Sequence, residues 1–176
     1  MTKLLGISGA LRANSTNTML IRNAATAFNA DTFQEADLHL PLYDGDVEEN
    51  EGIPALVQAL ADQIGNADAI IISTPEYNKG ISGVLKNALD WVSRVEGAPW
   101  ANKPVAIMSA TAGRSGGERA QTNLVAALAP FRPHLILGPE VLIGANYQSF
   151  DDASILTNEI SQKALMDLMA HLKAAI

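Results

Sequence analysis

DAIIISTPEYNKGISGVLKNALDWV, residues Asp68 to Val92, carries the fold in outline. Ala69 to Ile72 is an unbroken apolar run rich in β-branched isoleucine, the pattern of a strand covered on both faces. Pro75 ends that run, and the segment Pro75–Gly80 has the composition of a turn. From Ile81 to Val92 the apolar residues Val84, Leu85, Ala88, Leu89 and Val92 recur at three- and four-residue spacing. That spacing predicts a helix with one face turned back on the strand. A strand buried on both sides also requires helices on both sides, so the rest of the chain should supply them.

The alternation continues in both directions. Lys3–Ser8 reads as a first buried strand, Asn17–Phe28 as a helix and Thr32–Leu38 as a weaker strand. His39–Gly52, rich in Pro, Gly, Asp and Glu, reads as a loop, and Pro54–Gly65 as a helix with proline in its first turn. Pro104–Ala110 is the fourth expected strand, Gly117–Ala129 a helix, and His134–Leu137 with Val141–Ile143 the fifth strand. Ala153–Ala174 closes the chain as a helix with Ile160, Ala164, Leu165, Leu168, Met169 and Leu172 on its core face. Repeated strand–helix units imply a parallel sheet with right-handed crossovers. Five strands suit the flavodoxin-like order 2-1-3-4-5, a doubly wound three-layer α/β/α arrangement, better than the six-stranded dinucleotide fold. With no repeat and no linker, residues 1–176 are expected to form one domain.

Composition narrows the function. Of 176 residues, 48% are hydrophobic and 18% charged, the balance of a globular chain rather than a disordered one. No apolar run approaches the ~20 residues of a membrane helix, and Met1–Lys3 leads straight into Leu4–Ser8, too short for a signal-peptide apolar region and cleavage site. We therefore expect a cytoplasmic protein. A formal charge of −7 argues against nucleic acid or an anionic membrane as partner. The chain has no cysteine, which removes thiolate nucleophiles, disulfides and Cys-ligated metal centres. Redox chemistry would then belong to a bound cofactor.

In a doubly wound sheet, ligands sit beyond the carboxyl ends of the strands, which directs attention to three loops. Gly9–Asn17 (GALRANSTN) lies between the first strand and its helix. Backbone N–H groups at a helix start attract anions, and Ser15, Thr16, Asn17 and Arg12 add donors and a permanent charge. Ordinary N-capping by Ser15 or Asn17 beside a solvated Arg12 explains the same residues. The loop has neither the GxxxxGK[ST] nor the GxGxxG pattern, and a short hydroxyl-rich loop suits a monophosphate. In Thr74–Gly80, Pro75 fixes the turn, Tyr77 offers a flat face and Asn78 both donor and acceptor; a turn with a solvated tyrosine is the plainer account. In Ser109–Gly117, Gly113, Gly116 and Gly117 allow close backbone approach to a ligand, or simply a flexible turn.

Three segments together carry a resemblance: Gly9–Asn17, Pro75–Asn78 (PEYN) and Gly83–Trp91 (GVLKNALDW). The chain resembles the NAD(P)H-dependent FMN reductases of flavodoxin-like fold, a group that includes bacterial quinone and chromate reductases. The resemblance covers nearly the whole chain and is weakest after about residue 145. It implies FMN as cofactor and NADPH or NADH as cosubstrate. Arg12, Ser15, Thr16 and Asn17, with backbone groups from Ala10 onward, would hold the FMN phosphate. Pro75, Glu76, Tyr77 and Asn78 would meet the flavin ring, and Thr111 to Gly113 its other edge. The family commonly has serine where this chain has Ala10, so one hydroxyl contact is absent while the N–H remains.

The implied activity is electron transfer from NAD(P)H to a small acceptor such as a quinone, in ping-pong order. Chromate or ferric complexes would be adventitious acceptors, and no side chain need serve as acid or base. The alternative is a flavodoxin-type FMN electron carrier that does not oxidise nicotinamide. A homodimer or homotetramer is implied by the relatives, with Arg119 and Glu140 as candidate subunit contacts. Lys86 and Asp90 are spaced for an i, i+4 ion pair, and with Asn87 and Trp91 they should position the flavin loop. The acidic run Asp44, Asp46, Glu48, Glu49 and Glu51 lacks EF-hand spacing and reads as a solvated loop.

Overall fold

The computed structural model describes residues 1–176. Its sheet is built from β1 (Lys3–Ser8), β2 (Thr32–Glu35), β3 (Ala69–Thr74), β4 (Pro104–Ala110), β5 (His134–Ile136) and β6 (Leu142–Ile143). The order is β2-β1-β3-β4-β5, with β6 also pairing β4, and every pairing is parallel. This is the flavodoxin-like order expected from the strand–helix alternation. The fifth position is shared: β5 pairs Pro104–Ala106 and β6 pairs Ser109–Ala110, so one β4 edge is covered by two short segments.

The helices are α1 (Thr16–Phe28), α2 (Gly45–Glu51), α3 (Ala55–Asn66), α4 (Gly83–Val92), α5 (Glu118–Leu128) and α6 (Glu159–Ala174). β3 and β4 are buried at every position, which is why they read as continuous apolar runs. One core layer joins α3, α4 and α5 to the sheet through Leu60, Ile64, Leu85, Leu89, Leu124 and Ile72. The other joins α1 and α6 through Leu20, Phe28, Leu165, Leu168, Ile71 and Met108. No helix is long and apolar enough to cross a membrane.

Several sequence expectations need correction. β2 stops at Glu35 rather than Leu38, because the Asp37 carboxylate accepts the His39 N–H at 2.9 Å and turns the chain. His39–Gly52 is not all loop: Asp44 caps α2 by accepting the Asp46 N–H, and the acidic run lies on that helix. Acidic residues in a first turn suit the helix dipole. α6 begins at Glu159, not Ala153. The Asp151 carboxylate ties down the N–H groups of Ala153 and Ile155, and Asn158 caps the helix through the Ser161 N–H. Ile160, expected in the core, is 80% exposed in the first turn of α6.

Candidate functional site

The loops after β1, β3, β4 and β6 meet at the carboxyl edge of the sheet around an open cavity of about 590 Å3. That is within the range of small-molecule and cofactor sites. Ala10, Arg12, Ser15, Thr16, Asn17, Pro75, Glu76, Tyr77 and Thr111 all line it, so the three loops singled out in the sequence do converge. Asn78 and Gly113 lie outside its lining.

The first loop is a donor surface. No hydrogen bond within the chain uses the backbone N–H groups of Ala10, Leu11, Arg12, Ala13, Asn14 or Thr16. Ser15 caps α1 by accepting the Asn17 N–H at 3.2 Å, a bond that uses an oxygen lone pair and leaves the hydroxyl hydrogen free. Capping and ligand binding are therefore compatible at Ser15. Arg12 is exposed on the cavity wall and forms no ion pair. Free N–H groups, a helix N-terminus and an unpaired guanidinium together make an anion cradle.

Asn17, which also lines the cavity, anchors the loop to the sheet. Its amide donates to Ala110 O at 2.9 Å and accepts from Ala110 N at 3.0 Å and from Ser73 Oγ at 2.8 Å. The residue is buried, and its side chain locks the first loop to the ends of β3 and β4. Gly9 reinforces the junction: its N–H donates to Ser73 O at 2.8 Å, and a Cβ there would lie 3.1 Å from Thr74 Oγ1 and Ser82 Oγ.

In the second loop, Tyr77 and Gly80 exchange backbone hydrogen bonds of 3.0 Å around Asn78 and Lys79, both at positive φ. That is a two-residue turn of the primed type, which turns Asn78 out of the cavity lining. Tyr77 stays 57% exposed, a flat face at the cavity mouth. Glu76 accepts the Ala120 N–H at 3.3 Å, so it caps α5 from outside. On α4, Trp91 Nε1 and Asn87 Nδ2 both donate to Pro41 O, so these two residues anchor the segment between β2 and α2 rather than the second loop. Lys86 and Asp90 form the expected pair at 2.6 Å.

Gly116 and Gly117 of the third loop serve packing. A Cβ at Gly116 would fall 2.6 Å from the Leu142 carbonyl carbon, and one at Gly117 would fall 2.8 Å from Ser109 Oγ. Their missing side chains let the loop close on β6 and β4. Of the loop's N–H groups without a partner in the chain, that of Ala112 belongs to a residue of the cavity lining.

The fourth wall comes from Asn146, Tyr147, Phe150 and Asp151, which sequence reasoning missed. The rule that loops after strands build the site applies to β6 as well, and the exposed aromatic Tyr147 was the available signal. Asn146 Nδ2 donates to Thr16 Oγ1 at 2.6 Å, joining this loop to the cradle.

A planar ring system carrying one phosphate monoester fits these residues: a cradle of unspent donors at one wall, and Pro75, Tyr77 and backbone N–H groups at another. Both wall carboxylates, Glu76 and Asp151, are engaged by backbone N–H groups. Fold and donor set thus define a flavodoxin-like protein whose crevice suits FMN. Comparison with known proteins gives the family. The sequence pattern described as NADPH-dependent FMN reductase matches residues 2–148, and the chain belongs to that family. It is 38% identical over 173 residues to the NAD(P)H-dependent FMN reductase PA1204 of Pseudomonas aeruginosa, covering 97% of this chain and 93% of that one. It is 37% identical over 168 residues to the quinone reductase of Escherichia coli, covering 94% and 88%. Among solved structures, the flavoenzyme NAD(P)H:(acceptor) oxidoreductase FerB of Paracoccus denitrificans superposes with a TM-score of 0.87. It has 27% identity, with 99% of this chain and 96% of that one covered.

Proposed function

We propose that the protein is an FMN-dependent oxidoreductase that passes electrons from NADPH or NADH to a quinone-like acceptor, in ping-pong order. The observation that carries this reading is the set of unspent N–H groups of Ala10, Arg12, Asn14 and Thr16, beside the unpaired Arg12 guanidinium, in one cavity with Pro75, Tyr77 and Thr111. Bound FMN supplies the hydride and electron chemistry. The chain's own residues bind and orient. Arg12, Ser15, Thr16 and the loop N–H groups hold the phosphate. The Glu76 and Ala112 N–H groups, both in the cavity lining and without partners in the chain, offer donors to the ring's polar edge. Tyr77 leaves an open, flat approach for a second planar ring. The names of the P. aeruginosa and E. coli relatives support the donor and the acceptor class. A homodimer or homotetramer is part of the proposal: Arg119 and Glu140 form no ion pair within the chain and are available to a second subunit.

The test is an absorption spectrum of the purified protein, repeated after FMN and then NADPH are added under nitrogen. Flavin bands that appear and bleach, with parallel initial-rate lines when NADPH is varied against a quinone, are expected. Bound flavin that stays oxidised would instead mark an electron carrier. Absence of flavin binding would refute the reading of the cavity.

A further inference from the structure

Asn146 stands on the fourth loop, outside every segment that the sequence assigned to the site. Its backbone N–H donates to Thr111 O at 3.2 Å, and Ser149 Oγ ties the turn by donating to Gly144 O and Ala145 O. The Asn146 amide is thus held against the first turn of α1, where its Nδ2 donates to Thr16 Oγ1 at 2.6 Å. Both residues line the cavity.

We infer that Asn146 is a positioning residue for the phosphate, setting the Thr16 hydroxyl as a donor into the anion cradle. This rests on the reading of that cradle as the FMN phosphate site. A threonine hydroxyl has one hydrogen and two lone pairs. With an Nδ2–H on one lone pair, the hydrogen cannot point at Asn146 and is left for an acceptor in the cavity. The amide also polarises the O–H bond, so the hydroxyl donates more strongly to an anion. An uncommitted threonine could instead turn its hydrogen away and present a lone pair to the phosphate, which is repulsive. Asn146 removes that choice.

Chemistry at position 146 should therefore be read out by ligands with and without a phosphate. FMN and riboflavin share the ring and the ribityl chain, and only FMN carries the anion. In Asn146→Ala the hydroxyl is free to rotate, and FMN affinity should fall about threefold to tenfold, the worth of one oriented hydrogen bond. In Asn146→Asp, nearly the same shape, the carboxylate takes the Thr16 hydrogen for itself and sets a negative charge beside the phosphate. FMN affinity should then fall on the order of a hundredfold. Riboflavin affinity should stay unchanged in both. In a Thr16→Val background, replacing Asn146 by Ala should have no further effect.

Titration by quenching of flavin fluorescence measures all of these without turnover. The inference is overturned if riboflavin affinity falls in step with FMN affinity, because Asn146 would then only shape the fourth loop. It is also overturned if Asn146→Asp is no worse than Asn146→Ala, or if the effect of Asn146→Ala survives in Thr16→Val. Unaltered protein that binds neither flavin fails differently: it removes the FMN reading itself, and the inference with it.

Discussion

Replacing Asn17 by alanine separates the residues that build the site from those that touch its ligand. Asn17 is 2% exposed, and its side chain makes three hydrogen bonds, to Ala110 N, Ala110 O and Ser73 Oγ, at 2.8–3.0 Å. Ala110 and Ser73 are fully buried, so none of the three abandoned groups has an alternative protein partner. Each unsatisfied buried polar group costs about 1–3 kcal/mol. The vacated space is polar and close to the size of one water, so a water can recover part of the loss. We expect the ligand-free Asn17→Ala protein to be less stable by about 2–5 kcal/mol, a large share of the ~5–15 kcal/mol available to a domain.

Urea unfolding of the FMN-free protein is the assay, with a lowered midpoint and an unchanged slope as the expected result. Asn17→Asp sharpens the test. Its carboxylate can accept from Ala110 N and Ser73 Oγ but meets Ala110 O lone pair to lone pair. Burial raises the folded pKa of that new carboxyl, so its relative stability is greatest in acid and is lost as pH rises through the folded value. The deficit of Asn17→Asp should therefore shrink on acidification, while that of Asn17→Ala should not. Stability within about 0.5 kcal/mol of the unaltered protein, alongside weakened FMN binding, would refute the reasoning. Asn17 would then be a ligand contact, and its hydrogen bonds to the strand ends would carry no weight.

Arg12→Ala should do the opposite, lowering FMN affinity by about 1.5–3 kcal/mol with apo stability unchanged, since Arg12 pairs with nothing in the chain; unchanged affinity in a fluorescence titration would remove it from the cradle. Gly117→Ala places a Cβ 2.8 Å from Ser109 Oγ at a φ of +93°, and should destabilise the fold by about 1–3 kcal/mol in a thermal melt. A variant melting with the unaltered protein would mean that the third loop shifts freely. Arg94 holds the Glu48 carboxyl below the usual range through hydrogen bonds of 2.9 and 3.0 Å, and Tyr43, raised by its own hydrogen bond to Glu48, follows the same contact. The Glu48 contribution is present above the unfolded glutamate pKa and is lost as pH falls through the folded one. The stability gap between Arg94→Ala and the unaltered protein should accordingly narrow in acid, and a gap independent of pH would count against the pair.

What was legible in the sequence was local and periodic. Ala69–Thr74 and Gly83–Val92 are visible because a doubly covered strand and an amphipathic helix print their burial directly on residue order. α2 was hidden for the same reason: it has no buried residue, so it has no apolar stripe. Its anchors are distant, Glu48 to Arg94 and Tyr43 edge-on to Trp91 at 5.0 Å. Gly116 and Gly117 were conspicuous but ambiguous, because a glycine announces a missing Cβ without saying which neighbour takes the space. The fourth wall escaped because Val141–Ile143 reads as the end of the fifth strand, and only the loops after the first, third and fourth strands were followed to the site.

The same distinction runs through the first loop, and it explains what a motif contains. Asn17 is buried and hydrogen-bonded to the strand ends, whereas Arg12 and Asn14, five and three positions earlier, are exposed with unspent side chains. A motif compares residue types only, so it does not separate a residue that anchors the loop from one whose side chain is left free. Hydrogen-bond accounting separates them. The groups already satisfied, Ser73, Asn17 and Ala110, fix the wall, while Ala10, Arg12, Asn14 and Thr16 line the cavity with N–H groups left without partners. A wall fixed before the ligand arrives spares binding the cost of ordering the loop. The stabilisation that FMN gives to this fold should then reflect the affinity of the cradle alone, with no share returned to fold the loop around it.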